Sequence, residues 1–162
     1  MIGAEERDRF LLCRIGSRIG ALALKDVRET MRPLPIEPLA GMPPFVLGVA
    51  IVRGFPAPVV DADRLLKPAA APTPPMISSP SARFVSLKLG ERTAVLAVDA
   101  VLDIRPLAAG MAAEIPPLLR EAGTERMAVI GALDAQLLLV LEAARLVPES
   151  VWSAIKALET ST

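Results

Sequence analysis

Apolar and polar residues alternate along most of the chain, in short runs that glycine and proline interrupt. Alternation with a period of two is typical of strands that bury one face. Two pairs of such runs enclose a glycine-containing dipeptide: 9–15 and 19–24 around Gly16-Ser17, and 83–89 and 92–98 around Gly90-Glu91. Glycine reaches positive φ without steric cost, which favours a tight turn at such a dipeptide. The pattern therefore predicts two β-hairpins, with structural roles for Gly16 and Gly90.

The remaining apolar runs are short and are bounded by turn-forming residues. They predict further strands at residues 27–32, 46–52, 58–61, 101–105, 127–133 and 136–141. One or two helical turns are predicted at 62–66 and 142–147, after the last run of each half. Many short strands at close spacing indicate a small barrel or sandwich.

The chain also repeats itself at long range. The first hairpin matches the second when Phe10 is aligned with Phe84, and the identities include Gly16 with Gly90 and Arg18 with Arg92. Further along, 59–66 matches 140–147. Solenoid repeats are about 20–50 residues long, so matches this far apart indicate one small fold built twice. We expect a single domain of two similar lobes, about residues 9–66 and 83–147.

Two segments depart from the strand pattern. Residues 67–82 hold five prolines among Ala, Ser and Thr, which predicts a surface linker between the lobes. Residues 149–159 predict a C-terminal helix with one apolar stripe, formed by Val151, Trp152, Ile155 and Leu158. Docking of this stripe onto the chain's own strands is favoured, and binding to a partner or a membrane surface is the alternative.

Composition narrows the class of protein. Lys and Arg together number 18, and so do Asp and Glu, so there is no basic excess for nucleic acid or an anionic membrane surface. The chain has no apolar run of the 18 or more residues that a membrane span needs, so we expect no direct membrane insertion. A single cysteine, Cys13, excludes an internal disulfide and suits a reducing compartment. These features predict a soluble, cytoplasmic protein.

The sequence offers little chemistry for catalysis. It contains no histidine, the commonest general base and metal ligand, and no phosphate-binding or nucleophile-elbow motif. Asp61 and Asp63 could form an acid/base pair or a metal corner, but an Asp that ends a strand more often caps the helical turn after it. We therefore expect no catalytic residue, metal or cofactor. A small-barrel enzyme that uses Asp61 and Asp63 is the remote alternative.

Several motifs lie in a fixed order along the chain. The most specific lies in residues 44–61 and comprises Gly48-Val49, Val52-Arg53-Gly54 and Pro58-Val59-Val60-Asp61. It is flanked by Val27-Arg28-Glu29 upstream and by Val98-Asp99-Ala100-Val101 and residues 138–146 downstream. With these motifs, about residues 9–147 resemble the CheW-like domain of bacterial chemotaxis coupling proteins, which also forms the regulatory domain of the kinase CheA. Ile51 stands where that family usually has Asn.

The resemblance implies a mostly β fold: two intertwined five-stranded SH3-like β-barrels with short helices and a C-terminal helix. It also implies a non-catalytic adaptor that couples the cytoplasmic tip of a methyl-accepting chemoreceptor to the regulatory domain of a CheA-type histidine kinase. Recruitment to receptor arrays is a further expectation. The alternative is an accessory protein that binds receptors or other array proteins without coupling to the kinase.

The resemblance implies partner-binding roles for Val27, Glu29, Gly48, Arg53 and Gly54, and structural roles for Pro58 and Asp61. A structural alternative stays open for each kind of residue. The glycines could only permit strand bends. Arg53 could form an ion pair with Glu29 or Asp61 that only holds the fold together.

Overall fold

The computed structural model describes residues 9–66, 80–106, 112–113, 127–133, 136–141 and 143–160. The strands are β1 Arg9–Ile15, β2 Arg18–Ala23, β3 Val27–Met31, β4 Val46–Val52, β5 Phe55–Asp61, β6 Arg83–Leu89, β7 Arg92–Val98, β8 Ala100–Pro106, β9 Ala112–Ala113, β10 Met127–Leu133 and β11 Gln136–Leu141. The helices are α1 Ala62–Leu66 and α2 Glu149–Thr160, with 3₁₀ turns at Leu24–Asp26 and Ala143–Arg145. Except for residues 80–82, the predicted linker lies outside the described residues.

The strands form two sheets with related strand orders. The first has the order β8-β1-β2-β11-β10-β9, and the second has the order β3-β6-β7-β5-β4. In each sheet the first hairpin of one half of the chain lies between the third strand and the last hairpin of the other half. Each sheet therefore needs strands from both halves. The predicted mostly β class, with few helices, is confirmed.

The register of pairing follows the two sequence matches. The pairing of β3 with β6 skips Arg28, and the pairing of β8 with β1 skips Leu102. These two residues are equivalent when Phe10 is aligned with Phe84. The register also shifts at Leu47 on β4 and at Ala128 on β10, which coincide when 59–66 is aligned with 140–147. β-Bulges bend a strand at a defined point. Because the bulges recur in both alignments, the sequence repeat corresponds to repeated backbone geometry.

β5 begins earlier than the sequence pattern predicted, at Phe55 rather than at residue 58. Pro56 and Pro58 interrupt the alternation, and a proline cannot donate to a ladder. Both prolines nevertheless pair in register with β4. They precede Val59, where pairing between β5 and β7 begins. In this part of β5 one edge is unpaired, so a missing N–H group is tolerated.

Two main clusters of apolar side chains hold the sheets together. The larger cluster combines residues of both sheets, α1 and α2, including Leu22, Leu96 and Ile155. The smaller cluster lies on the opposite face of the second sheet and is built on Val52, Phe84 and neighbouring small residues. Because Val151 and Ile155 are buried, α2 docks onto the chain's own strands. This docking places α2 beside the second sheet.

Candidate functional site

The turn between β4 and β5 is tight and has an unusual backbone. Val52 pairs with Phe55, which leaves Arg53 and Gly54 as a two-residue loop. Their φ angles are 50° and 86°, and positive φ at both central residues is what a type I′ hairpin turn requires. Among the described residues other than glycine, Arg53 alone has a positive φ. The turn thus directs an arginine outward from the end of the hairpin.

Arg53 is held by Glu29 of β3. Arg53 Nη2 donates to Glu29 Oε2 at 2.6 Å, and Arg53 Nε donates to Glu29 Oε1 at 2.9 Å. These two bonds lower the pKa of the Glu29 carboxyl below its ordinary value. The Arg53 side chain remains 72% exposed and that of Glu29 32% exposed. An exposed pair adds little to stability, but its bidentate geometry fixes the direction of both groups.

The ion pair joins the two edges of the second sheet. β3 is one edge strand of that sheet and β4 is the other. Arg53 follows β4 directly, so the ion pair connects two strands that stand at opposite ends of the sheet order. Ser86 lies beneath the ion pair, fully buried, and donates its hydroxyl to the Glu29 carbonyl oxygen at 3.4 Å.

Apolar side chains flank the exposed arginine. Phe55 is 71% exposed and Ile51 is 62% exposed, although both are large hydrophobic residues. Exposed apolar side chains close to a fixed charged group are a common feature of protein interaction surfaces. The end of this hairpin is therefore a candidate partner-binding surface.

This surface continues into a groove of about 760 Å³. One side of the groove is formed by Glu29, Val52, Arg53, Phe55 and Pro56. The other side includes Trp152, Ile155 and Lys156 of α2, with Arg28, Ser86, Glu91, Arg92 and Thr93 completing the lining. The groove thus lies between the β4–β5 turn and the C-terminal helix.

Arg92 fixes α2 beside the groove. Its Nη1 and Nη2 donate to Glu149 Oε2 and Oε1 at 3.0 and 2.9 Å. Its guanidinium also lies 5.0 Å from the centre of the Trp152 ring, within the range of a cation–π contact. Arg92 was not predicted to belong to a site, and partner binding by the C-terminal helix was predicted only as an alternative. The only available signal was the repeated arginine at positions 18 and 92.

The other expected partner-binding residues are distributed along the same strands. Gly54 adjoins Arg53 in the turn, whereas Val27 begins β3 and packs partly buried against the larger apolar cluster. Gly48 is buried beside Glu37, whose backbone pairs antiparallel with Val49 of β4. At its φ of 146° a Cβ atom would overlap the Glu37 carbonyl oxygen. The structure therefore brings Glu29, Arg53 and Gly54 together and gives Gly48 a role in backbone packing.

The Asp61 side chain is buried and is not accessible at the surface. It is 1% exposed, and Oδ1 accepts hydrogen bonds from the backbone N–H groups of Asp63 and Arg64 at 3.0 and 3.4 Å. Burial raises the pKa of the carboxyl, while these bonds and the Arg64 guanidinium oppose the rise. Asp61 therefore caps α1 and pairs with Arg64, an arrangement that gives no support to the remote enzyme alternative.

The remaining expected residues lie within the scaffold. Gly16 and Gly90 occupy the β1–β2 and β6–β7 turns, and Pro58 is buried in β5. Burial raises the pKa of the Cys13 thiol to about 12, so it stays protonated and unreactive at neutral pH. Within the described part of the chain there is no group of three or more potential metal-ligating side chains. No described helix is long and apolar enough to cross a bilayer.

Comparisons with known proteins agree with the fold. Among solved structures, the scaffolding protein TtCheW from Thermoanaerobacter tengcongensis matches with a TM-score of 0.71, over 86% of this chain and 87% of that one. The two sequences are 21% identical, so this likeness concerns the fold alone. No curated protein matches the chain significantly. The family model of the CheW-like domain matches residues 9–151. The chain therefore belongs to the CheW-like domain family, whose members are non-catalytic scaffolds and adaptors.

Proposed function

We propose that this protein is an adaptor that binds the cytoplasmic tip of a methyl-accepting chemoreceptor and couples it to the regulatory domain of a CheA-type histidine kinase. Family membership supports the adaptor class. The receptor-binding surface is the end of the β4–β5 hairpin, with Arg53, Glu29 and Gly54 at its centre. Val27 and Gly48 contribute indirectly, by setting the paths of β3 and β4.

The observation that carries this proposal is the exposure of a fully formed ion pair between apolar side chains. Arg53 is 72% exposed although both of its hydrogen bonds to Glu29 are made. Phe55, next to the turn, is also mostly exposed. An arginine held in a defined orientation presents its remaining donors to the carbonyl and carboxylate groups of a partner. Apolar neighbours then exclude water from that contact.

The same ion pair supports a finer description of the fold. We propose that each sheet closes as a five-stranded barrel, β9 being an addition to the first one. In the second sheet Arg53, directly after β4, lies within ion-pair distance of Glu29 on β3, so the two edge strands approach each other at this point.

A binding assay with separate partners tests the adaptor function. Isothermal titration calorimetry would measure affinity for a receptor cytoplasmic hairpin and, separately, for the kinase regulatory domain. We expect both to bind, and Arg53→Ala to weaken receptor binding by about tenfold, the scale of one lost charge-assisted contact. Arg105→Ala is the matched control, because Arg105 is also an exposed arginine paired with a carboxylate, Asp103.

Each outcome discriminates between functions. If the wild-type protein does not bind the receptor hairpin, the proposal is wrong. Binding of the receptor hairpin without the kinase domain would indicate the accessory protein. If Arg53→Ala unfolds the protein and leaves the affinity of the folded fraction unchanged, Arg53 is only a structural residue.

A further inference from the structure

The groove beside Arg53 has a second wall, to which the proposed function gives no role. Trp152, Ile155 and Lys156 of α2 line the same groove as Arg53 and Phe55. Ile155 is anchored in the larger apolar cluster, and Trp152 packs partly buried against it. Lys156 is exposed. The wall therefore combines a fixed aromatic ring with an accessible cation.

Arg92 fixes the position of this wall. It binds Glu149 in the first turn of α2 through two hydrogen bonds and lies against the face of Trp152. Arg92 and Glu149 are 49% and 74% exposed, so the pair contributes little to stability. Its planar, bidentate geometry instead restricts the helix and the Trp152 ring to one arrangement. Arg92 is thus a positioning residue for the wall.

The size and charge of the groove indicate what it accommodates. The groove has a volume of about 760 Å³, within the range of pockets that hold a ligand or part of a partner. The charged lining has four basic residues, Arg28, Arg53, Arg92 and Lys156, and two acidic ones, Glu29 and Glu91. Glu149 binds Arg92 from outside this lining, which brings the acidic groups to three. One basic charge in excess remains at the groove, whereas the chain as a whole is neutral.

We propose that α2 forms half of the partner-binding surface, and that an amphipathic helix with carboxylates along its polar edge lies between α2 and the β4–β5 turn. Its apolar side contacts Phe55 and Trp152, and its carboxylates face Lys156 and Arg53. The inference rests on the proposed function, because the helix is taken to belong to the receptor tip. It adds α2 as a determinant of which receptor helices bind.

Charge reversal on α2 tests the inference. The probe is the receptor cytoplasmic hairpin, titrated into the full-length protein. Lys156→Glu is expected to weaken binding about tenfold without changing affinity for the kinase regulatory domain. Lys25→Glu, which reverses an exposed lysine outside the groove lining, is expected to leave binding unchanged.

The outcomes separate this inference from the function on which it rests. If wild type binds and Arg53→Ala weakens binding, but Lys156→Glu binds like wild type, α2 has no part in the surface and the inference alone is overturned. If wild type does not bind the hairpin, the proposed function fails first.

The fluorescence of Trp152 reports directly whether a partner covers α2, without any substitution at the site, because the chain contains one tryptophan. With a receptor hairpin that lacks tryptophan, saturation is expected to reduce acrylamide quenching of Trp152 fluorescence. Unchanged quenching at saturation would contradict the inference. Quenching is measured in the same titration as binding, so failure to bind remains distinguishable from binding elsewhere.

A charge-swap series tests the positioning role of Arg92. Arg92→Glu is expected to weaken receptor binding several-fold and to increase acrylamide quenching of Trp152 in the free protein. The double variant Arg92→Glu/Glu149→Arg restores the ion pair and is expected to recover part of the affinity. Equal affinity in wild type and Arg92→Glu would remove the positioning role.

Discussion

The two halves of the chain form nearly the same backbone but place different chemistry at the ends of their last hairpins. In the first half the β4–β5 loop is Arg53-Gly54, and Arg53 pairs with Glu29 of β3. In the second half Leu133, at the end of β10, pairs with Gln136, at the start of β11, and the two residues between them lie outside the described residues. Those residues are Asp134-Ala135, and Asp103 occupies the position equivalent to Glu29.

At the two aligned positions the sequence of the second half therefore has acids, where the first half has an ion pair. Two carboxylates cannot form such a pair, and Asp103 instead binds Arg105, two residues along its own strand. Because the register of β10 and β11 matches that of β4 and β5, the Arg53–Glu29 pair is not required for this pairing. This difference favours a role for the pair in binding rather than in folding.

A pair of equivalent arginines shows the opposite behaviour. Arg18 and Arg92 occupy the same position in the two halves, and each reaches a helical segment that follows the last strand of the other sheet. Arg18 Nη1 donates to the Leu66 carbonyl oxygen at the end of α1, at 3.1 Å. Arg92 binds the Glu149 side chain at the start of α2. In both halves the equivalent arginine therefore connects the two sheets, and only the acceptor differs, a backbone carbonyl for Arg18 and a carboxylate for Arg92.

The largest effect is expected at Gly48, whose equivalent in the second half is Val129. Gly48→Val would give the first half the residue that the second half has at this position. Because φ is 146° and a Cβ atom would overlap the Glu37 carbonyl oxygen, we expect a loss of about 3 kcal/mol in unfolding free energy, near the upper end for backbone strain. Urea denaturation measures it. Gly41→Ala is the control, since Gly41 also has positive φ but no neighbour within 4 Å.

A loss of about 1–2 kcal/mol in unfolding free energy is expected for Asp61→Ala, because it removes the cap of α1 and leaves Arg64 without its carboxylate. The equivalent residue in the second half is Glu142, which has a longer side chain. Asp26→Ala, at a partly exposed position, should cost less. An equal loss of unfolding free energy in Asp61→Ala and Asp26→Ala would show that the buried position of Asp61 does not increase its contribution to stability.

Arg53→Asp copies the loop chemistry of the second half and should barely change stability. The pair is exposed, so the thermal midpoint should stay within experimental error. Receptor binding should fall at least as far as in Arg53→Ala, because a negative charge replaces the arginine. A large drop in the thermal midpoint would contradict the comparison, since the pair would then be required for folding in one half only.

The smallest effect concerns the acid titration of Glu29 and Asp103. Arginine partners lower the pKa of both, from ordinary values of 4.5 and 3.8. A lowered carboxyl pKa contributes stability that is present above the unfolded-state value and is lost as pH falls through the folded-state value. In Arg53→Ala, NMR titration should show the Glu29 pKa rising while that of Asp103 stays unchanged. An unchanged Glu29 pKa would mean that the pair does not form in solution.

The sequence was informative where the signal is local and less so where it depends on distant pairing. Alternation and the turn at Gly90 predicted the hairpins, and the residues around Arg53 carried the family resemblance. The prolines of β5 made its first residues look unlike a strand in the sequence. A proline lacks the N–H group of a ladder hydrogen bond, but this matters only where the strand is paired on that edge. The helix α2 and its apolar stripe were predicted, but its position beside Arg53 was not, since Arg92 meets Glu149 across 57 residues of sequence.

The exchange of strands between the two halves also determines when the strands can pair while the chain is being synthesised. Ile19 of β2 pairs in parallel with Leu138 of β11, so the first hairpin lacks one neighbour until most of the chain has been made. At about 5–20 residues per second, that wait is on the order of ten seconds. During this time β2 presents an unpaired apolar edge, which is a template for unwanted association. A nascent chain of this protein should therefore depend on chaperone protection more than a domain of the same size with sequential hairpins.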